Sequence, residues 1–222
     1  MRPIGYCVLI RLALFERTCR DRSPLVDSLL SAKEKALWTK CVTEKRRVEF
    51  LGGRVAGKLA ALMDRLAAGF EPLNWRDVEI LPTAGGVPVC RHADQLCHPV
   101  SISHTKHFAL AVASLSACQV SVDMEENNWR DYPLPDMFST VELSQIADPQ
   151  TARLRWTLKE MYGKLTGRGV LGYTHSVHTL SHENSLWLGV PATSLPAKQV
   201  MLSTGHWRTL AVSIGVSSRR FL

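Results

Sequence analysis

Asp123 and Glu125 stand two residues apart in the alternating run Gln119-Val120-Ser121-Val122-Asp123-Met124-Glu125. On an extended strand that spacing puts both carboxylates on one face, with their Cα atoms roughly 7 Å apart. Two such charges repel unless something positive lies between them, and a hard divalent cation bound through oxygen meets that need. A solvated strand end would carry the same pair, so the spacing alone leaves both readings open. A second group is Trp156, Lys159, Glu160 and Lys164. Trp156, Glu160 and Lys164 are four apart and share a helical face, where an exposed Glu–Lys pair ordinarily adds only a few tenths of a kcal/mol. The glycines argue for more. Gly163 inside the helix costs about 1 kcal/mol relative to alanine, and Gly167, Gly169 and Gly172 follow closely, as close approach of a ligand or another chain would require. A helix bearing Glu and Lys that runs into such a loop can face a phosphate. The third group, Ser101-Ile102-Ser103-His104, offers hydroxyls and an imidazole able to bond phosphate oxygens, or is simply a polar turn.

Three familiar chemistries have no support. There is no G-x-S-x-G elbow around the serines, and no P-loop. Cys90, His92, Cys97 and His98 are zinc-ligand types within nine residues. They lack C-x-x-C or H-x-x-x-H spacing and run straight into Pro99, so a structural zinc there is disfavoured.

The elements that must position these groups read as follows. Cys7 to Leu14 is a short apolar run compatible with a strand. Ser23-Pro24 marks a helix start, and Ser31 with Glu34 has capping-box spacing. From Val48 to Leu66 apolar residues recur at helical spacing, with Arg46, Arg47, Arg54 and Lys58 at the start and on the flank. Strand-like runs follow at Val78–Leu81, Val100–Ser103 and Phe108–Ser114, and then Gln119–Glu125 alternates. Ser139 with Glu142 is another capping box, a helix covers about Leu154 to Leu165, and strands close the chain at Ser176–Leu180, Leu186–Val190 and Thr209–Val216. The order strand, helices, strands thus occurs twice. A short echo between His107-Phe108-Ala109-Leu110-Ala111-Val112 and His206-Trp207 with Leu210-Ala211-Val212 points to a duplication. The expectation is an α+β fold of two similar halves, residues 1–116 and 117–222.

The 222 residues are 45% hydrophobic and 21% charged, as in an ordinary globular protein, and carry a net charge of +7. That charge favours anionic partners without choosing among nucleotides, nucleic acids, phosphorylated cofactors and acidic proteins. Nucleic-acid binding would call for aromatics among the basic residues, and between Arg46 and Lys58 only Phe50 qualifies. No run is long enough to span a bilayer. The scattered cysteines and the short apolar start, interrupted by Arg11, give the expectation of a cytoplasmic protein with reduced thiols.

Taken in order, these segments resemble the Sfp-type phosphopantetheinyl transferases, over Lys45 to Gly172. Lys45-Arg46-Arg47-Val48-Glu49-Phe50-Leu51-Gly52-Gly53-Arg54 is similar to the family's basic, glycine-containing helix start, closest to its enterobactin-type branch. Ser101-Ile102-Ser103-His104-Thr105 resembles its serine–histidine block, and Val122-Asp123-Met124-Glu125 its strand motif. Trp156-Thr157-Leu158-Lys159-Glu160 with Lys164, Gly167 and Gly169 resembles the signature W-x-x-K-E-x-x-x-K-x-x-G-x-G.

The resemblance implies a magnesium-dependent enzyme, with manganese as the other metal admitted. It would move the phosphopantetheine arm of coenzyme A to a serine of an acidic acyl or peptidyl carrier protein and release 3′,5′-ADP. The implied fold is a pseudo-dimer of two α/β halves in a monomeric chain, with coenzyme A phosphate contacts in the first half and metal-binding carboxylates in the second. Asp123, Glu125 and Glu160 would hold the metal. Glu160 would also be the base, and Lys164 would stabilise the leaving group. Ser103, His104, Arg47 and Arg54 would contact the cofactor phosphates. Val87 stands where family members often have lysine, which bears on cofactor affinity more than on reaction type. The competing expectation is a non-catalytic module of the same fold that binds a carrier protein or nucleic acid.

Overall fold

In the computed structural model the described residues are 4–93, 97–116, 119–126, 134–167, 169, 178–182, 185–189, 200–207 and 210–217. The chain divides into two compact units, Met1–Val120 and Ser121–Leu222.

In the first unit β1 (Tyr6–Arg11) is followed by α1 (Ala13–Arg20), α2 (Leu25–Leu29), α3 (Ala32–Trp38) and the long α4 (Glu44–Ala67). After a 3-10 turn at Trp75–Asp77 come β2 (Val78–Pro82), β3 (Pro88–His92), β4 (Cys97–His104) and β5 (Phe108–Ala113). These strands form one antiparallel sheet in the order β1-β5-β4-β3-β2. Thr43 caps α4 by accepting a hydrogen bond from the Arg46 N–H at 3.1 Å. The apolar stripe of α4 then closes the core. Val48, Leu51 and Val55 pack with Leu12, Phe15 and Ala109, while Ala60 and Ala61 meet Val78, Ile80 and Val100. Helix and sheet approach so closely at Gly57 that an added Cβ would run into Ile80.

Two features here depart from the sequence reading. β3 was not expected, because Pro88 and Arg91 hide an alternation that turns Cys90 and His92 inward. Lys58, read from the sequence as one of the basic residues on the helix flank, is fully buried. Its Nζ lies 2.7 Å from Glu34 and donates to the Leu29 carbonyl at 3.0 Å. Glu34 closes the capping box with Ser31, as its spacing predicts, and also accepts from the Ile80 N–H at 2.9 Å. A carboxylate fixed inside the core in this way needs a cation, and Lys58 is the residue within reach.

The second unit contains β6 (Gln119–Glu125), α5 (Leu134–Met137), α6 (Thr140–Leu143), α7 (Pro149–Thr166), β7 (His178–His182), β8 (Ser185–Gly189), β9 (Val200–Trp207) and β10 (Leu210–Ser217). The order β6-β10-β9 makes one sheet, and β7 with β8 makes a separate antiparallel ribbon. α7 lies on β10 and starts at Pro149, earlier than the expected Leu154. The reason is a missed cap: Asp148 accepts from the N–H groups of Gln150 and Thr151 at 2.7 and 2.8 Å, with proline at the first turn. Gly167 ends the helix in the left-handed region, φ 69°, which only glycine adopts freely.

Among the described residues each unit runs strand, helices, four strands, with its first strand beside its last. The echo noted in the sequence falls on β5 and the residue before it in the first unit, but in the second it is split between the end of β9 (His206-Trp207) and the start of β10. Among the described residues no helix is long and apolar enough to cross a membrane.

Candidate active site

The carboxylate pair is set by one bond. Ser121 Oγ donates to the Met161 carbonyl at 2.7 Å, which turns the Ser121, Asp123 and Glu125 face of β6 toward α7. Lys164, one turn beyond Met161, donates to Asp123 Oδ1 at 2.6 Å and to the Val122 carbonyl at 3.3 Å. Asp123 is buried, while Glu125, Glu160 and Lys164 are half-buried. Burial, with Asp123 and Glu160 nearby, pushes the Glu125 carboxyl up to about 7 against the pull of Lys164 and Arg153. Burial and Asp123 likewise raise Glu160, with Lys164 opposing. The cluster holds more negative charge than its cations offset. Arg153, buried two turns before Glu160, was not singled out in the sequence; its distance along α7 from Glu160 was the available signal.

Lys159 belongs to a different structure. Its Nζ is buried, 2.7 Å from Glu142 Oε2 and 3.1 Å from the Met137 carbonyl, above the Phe138 ring. Glu142 also accepts from the Ser139 N–H at 2.9 Å and from the N–H and Oγ1 of Thr179, each at 2.8 Å. Trp156 packs edge-on against Phe138, 6.2 Å between ring centres, inside the cluster of Met137 and Ala152. Trp156 and Lys159 thus build the scaffold of α7, while Glu160 and Lys164 lie near Asp123. The glycines after α7 serve the backbone: Gly167 and Gly169 both have φ 69°, and an added Cβ at either would meet nothing within 4 Å. Gly172 and Cys118, and the Cys97 side chain, fall outside the described residues.

In the first unit, strand alternation puts Ser103 and His104 on opposite faces of β4. Ile102 and His104 share the face that meets α4; His104 Nε2 is 2.9 Å from Arg46 Nη1, and Nδ1 is 3.8 Å from Glu49 Oε1. Arg46 also bonds Glu49 at 3.2 Å. Arg47, named from the sequence, turns away: its Nε donates to the Cys41 carbonyl at 3.0 Å and it lies over the Trp38 ring. The guanidinium that joins His104 is the neighbouring Arg46. Arg54 stacks on the Phe50 ring at 4.2 Å, burial lowers its proton affinity, and its Nε has no partner among the described residues. Ser103 is buried.

No family model matches the chain. Similar curated proteins are the holo-[acyl-carrier-protein] synthases of Staphylococcus saprophyticus and Exiguobacterium sibiricum. The first is 32% identical over 104 residues, 46% of this chain and 88% of the relative. The second is 29% identical over 122 residues, 54% of this chain and 94% of the relative. The chain belongs to the holo-[acyl-carrier-protein] synthase family. It is a 4′-phosphopantetheinyl transferase. Among solved structures it resembles a Bacillus anthracis holo-(acyl-carrier-protein) synthase in complex with CoA (3′,5′-ADP), at 25% identity and TM-score 0.41 over 50% of this chain and 96% of that one. A Helicobacter pylori synthase in complex with coenzyme A matches at 20% identity and TM-score 0.41 over 50% and 96%. These relatives are about half as long as the transferase described here.

As they stand, no three His, Cys, Asp or Glu side chains among the described residues of the transferase are gathered to hold a metal ion. The donor set fits a hard cation in kind. Asp123, Glu125 and Glu160 are oxygen donors; burial first, and then repulsion from neighbouring carboxylates, raises Glu125 and Glu160, and a bound divalent cation would relieve that repulsion.

Proposed function

We propose that this transferase moves the 4′-phosphopantetheine arm of coenzyme A onto a serine of an apo carrier protein and releases 3′,5′-ADP. The observation that carries the reading is the Asp123, Glu125, Glu160 and Lys164 cluster, built by β6 and α7 within one unit. The carrier serine Oγ attacks the β-phosphorus of the coenzyme A pyrophosphate, and the bond from that phosphorus to the bridging oxygen breaks. Glu160 takes the serine proton; its raised proton affinity suits a base working near neutral pH. Lys164 offers an ammonium to the negative charge that grows on the departing 3′,5′-ADP. Asp123, Glu125 and Glu160 would hold Mg²⁺, or Mn²⁺ in its place, which when bound neutralises pyrophosphate charge and acts as a Lewis acid.

His104 with Arg46, and Arg54 on Phe50, are the first-unit groups suited to coenzyme A phosphates; Ser103 contributes from the opposite face of β4. Two units with one element order in a single chain support a pseudo-dimeric, monomeric enzyme of the Sfp type; the Lys45–Arg54 block favours its enterobactin-type branch, and the scattered cysteines favour work in the cytoplasm. The basic balance favours acidic carriers of fatty-acid, polyketide or nonribosomal-peptide synthesis. The test follows 3′,5′-ADP release from coenzyme A by chromatography. Release that requires carrier, stops on chelation and is lost in Asp123→Ala supports the reading. Release without carrier, or release indifferent to chelator, refutes it.

A further inference from the structure

Glu49, to which the proposed reaction gives no part, lies in the second turn of α4 within the Met1–Val120 unit and is 8% exposed. Three basic groups surround its carboxylate. Arg46 Nη1 donates to Oε2 at 3.2 Å, Lys45 Nζ is 3.7 Å from Oε1, and His104 Nδ1 is 3.8 Å from that same oxygen. Lys45 and Arg46 reach it from the preceding turn of the helix, and His104 comes from the end of β4. An exposed pair at such helical spacing contributes little. A carboxylate withdrawn from water needs its cations, and so fixes where they stand.

Arg46 shows what is fixed. Its side chain is 56% exposed, and a long side chain in water moves among many rotamers. Here one of its nitrogens is held twice: Nη1 donates to Glu49 and lies 2.9 Å from His104 Nε2. A guanidinium only donates, so Nε2 accepts, and these two bonds use both Nη1 hydrogens. The other ring nitrogen, Nδ1, is the one beside Glu49. Glu49, Arg46 and His104 thus close a ring of contacts that sets the arginine and the imidazole against each other. The remaining guanidinium hydrogens, on Nε and Nη2, take part in neither bond. That edge is the one able to grip two oxygens of a phosphate.

We propose that Glu49 is a positioning residue for coenzyme A, which orders Arg46 and His104 before a coenzyme A phosphate arrives and itself touches no part of the substrate. The inference rests on the reading of coenzyme A as the substrate. A carboxylate near a polyanion's site would hinder binding if it took the arginine for itself. Glu49 engages Nη1 and leaves the Nε–Nη2 edge outside its bond, so it holds the guanidinium without occupying that edge. A ligand that meets side chains already in place does not lose affinity to ordering them. Without Glu49 the ligand must order Arg46 and His104 itself, which weakens binding by about tenfold.

The test is calorimetric titration of the full chain with coenzyme A, for the native sequence, Glu49→Ala, Glu49→Gln, Arg46→Ala and the double variant Arg46→Ala with Glu49→Ala. Each Kd is referred to the folded fraction measured by circular dichroism, so a merely structural defect does not register. Glu49→Ala should raise Kd by about tenfold. Glu49→Gln, whose amide oxygen still accepts from Arg46, should raise it less. In turnover the KM for coenzyme A should follow Kd, while kcat stays near native. Because Glu49 acts largely through Arg46, its removal should matter much less once Arg46 is alanine. An unchanged or tighter Kd in Glu49→Ala, or an equal loss in both backgrounds, overturns the positioning role and leaves the transferase reading standing. A native chain that binds no coenzyme A overturns both.

Discussion

Lys159→Ala separates scaffold from chemistry on α7. The substitution leaves Glu142 with its Ser139 and Thr179 donors but without the ammonium 2.7 Å away, in a place where its side chain is fully buried and the basic group of His178, at Nδ1, is 3.9 Å off. Removing one partner of a buried pair typically costs about 3–5 kcal/mol, because the other charge is stranded. For a chain of this length each kcal/mol moves Tm by roughly 2–4 °C, so a fall of about 6–20 °C is expected. Burial alone would raise Glu142, but Lys159 and the Thr179 and Ser139 donors hold it below the usual carboxylate value. A depressed acid contributes stability above its unfolded value and loses it as pH falls through the folded one. The gap between native chain and variant should therefore shrink toward acid, where Glu142 becomes neutral. Lys159→Met with Glu142→Gln, which removes both charges, should recover part of the loss. The assay is thermal melting followed by circular dichroism at several pH values, with turnover measured on the folded fraction. A Tm within about 2 °C of the native chain together with lost turnover would refute the scaffold assignment, since the predicted destabilisation is several times larger.

Glu160→Gln should lower kcat by about 10²–10⁴ while coenzyme A binding measured by calorimetry stays near native, as loss of a general base implies; a pure affinity defect would remove it from the chemistry. Lys164→Ala should lower kcat by about 10²–10³ and alter KM less, as loss of a charge-stabilising donor implies; the reverse pattern would make it a binding residue. In metal-free protein the Glu125 carboxyl is raised to about 7 by burial, Asp123 and Glu160. A raised acid favours the folded state at low pH and opposes it as pH climbs toward the folded value. Glu125→Gln should therefore raise Tm at pH 8 and change little at pH 5, and equal Tm values at pH 8 would contradict the crowding of carboxylates.

Local sequence patterns carried much of the fold. The alternation from Gln119 to Glu125 is β6, and both capping boxes, Ser31–Glu34 and Ser139–Glu142, form as spaced. What stayed hidden was the long-range use of the same residues. Glu34 and Glu142 each read as helix caps, yet each also takes a buried lysine from a distant helix, Lys58 and Lys159. Periodicity cannot show such a pairing because it depends on packing of separate elements. The same limit explains Arg46 and Arg47: adjacent residues on one helix turn point in directions set by tertiary neighbours, and the one facing His104 is Arg46. The pairing of Asp123 with Lys164 was closer to legible, since strand alternation and helical spacing each fixed one face, and the Ser121–Met161 bond brings the two faces together. β3 was missed because proline and arginine break its apolar signal.

The most direct test of the central claim is the intact mass of an apo carrier protein incubated with this chain, coenzyme A and Mg²⁺. The account predicts a gain of about 340 Da on the carrier, the mass of the transferred arm, abolished by chelator and absent with Asp123→Ala. An unchanged mass across fatty-acid, polyketide and peptide-synthetase carriers, or a gain that persists without metal, would contradict it.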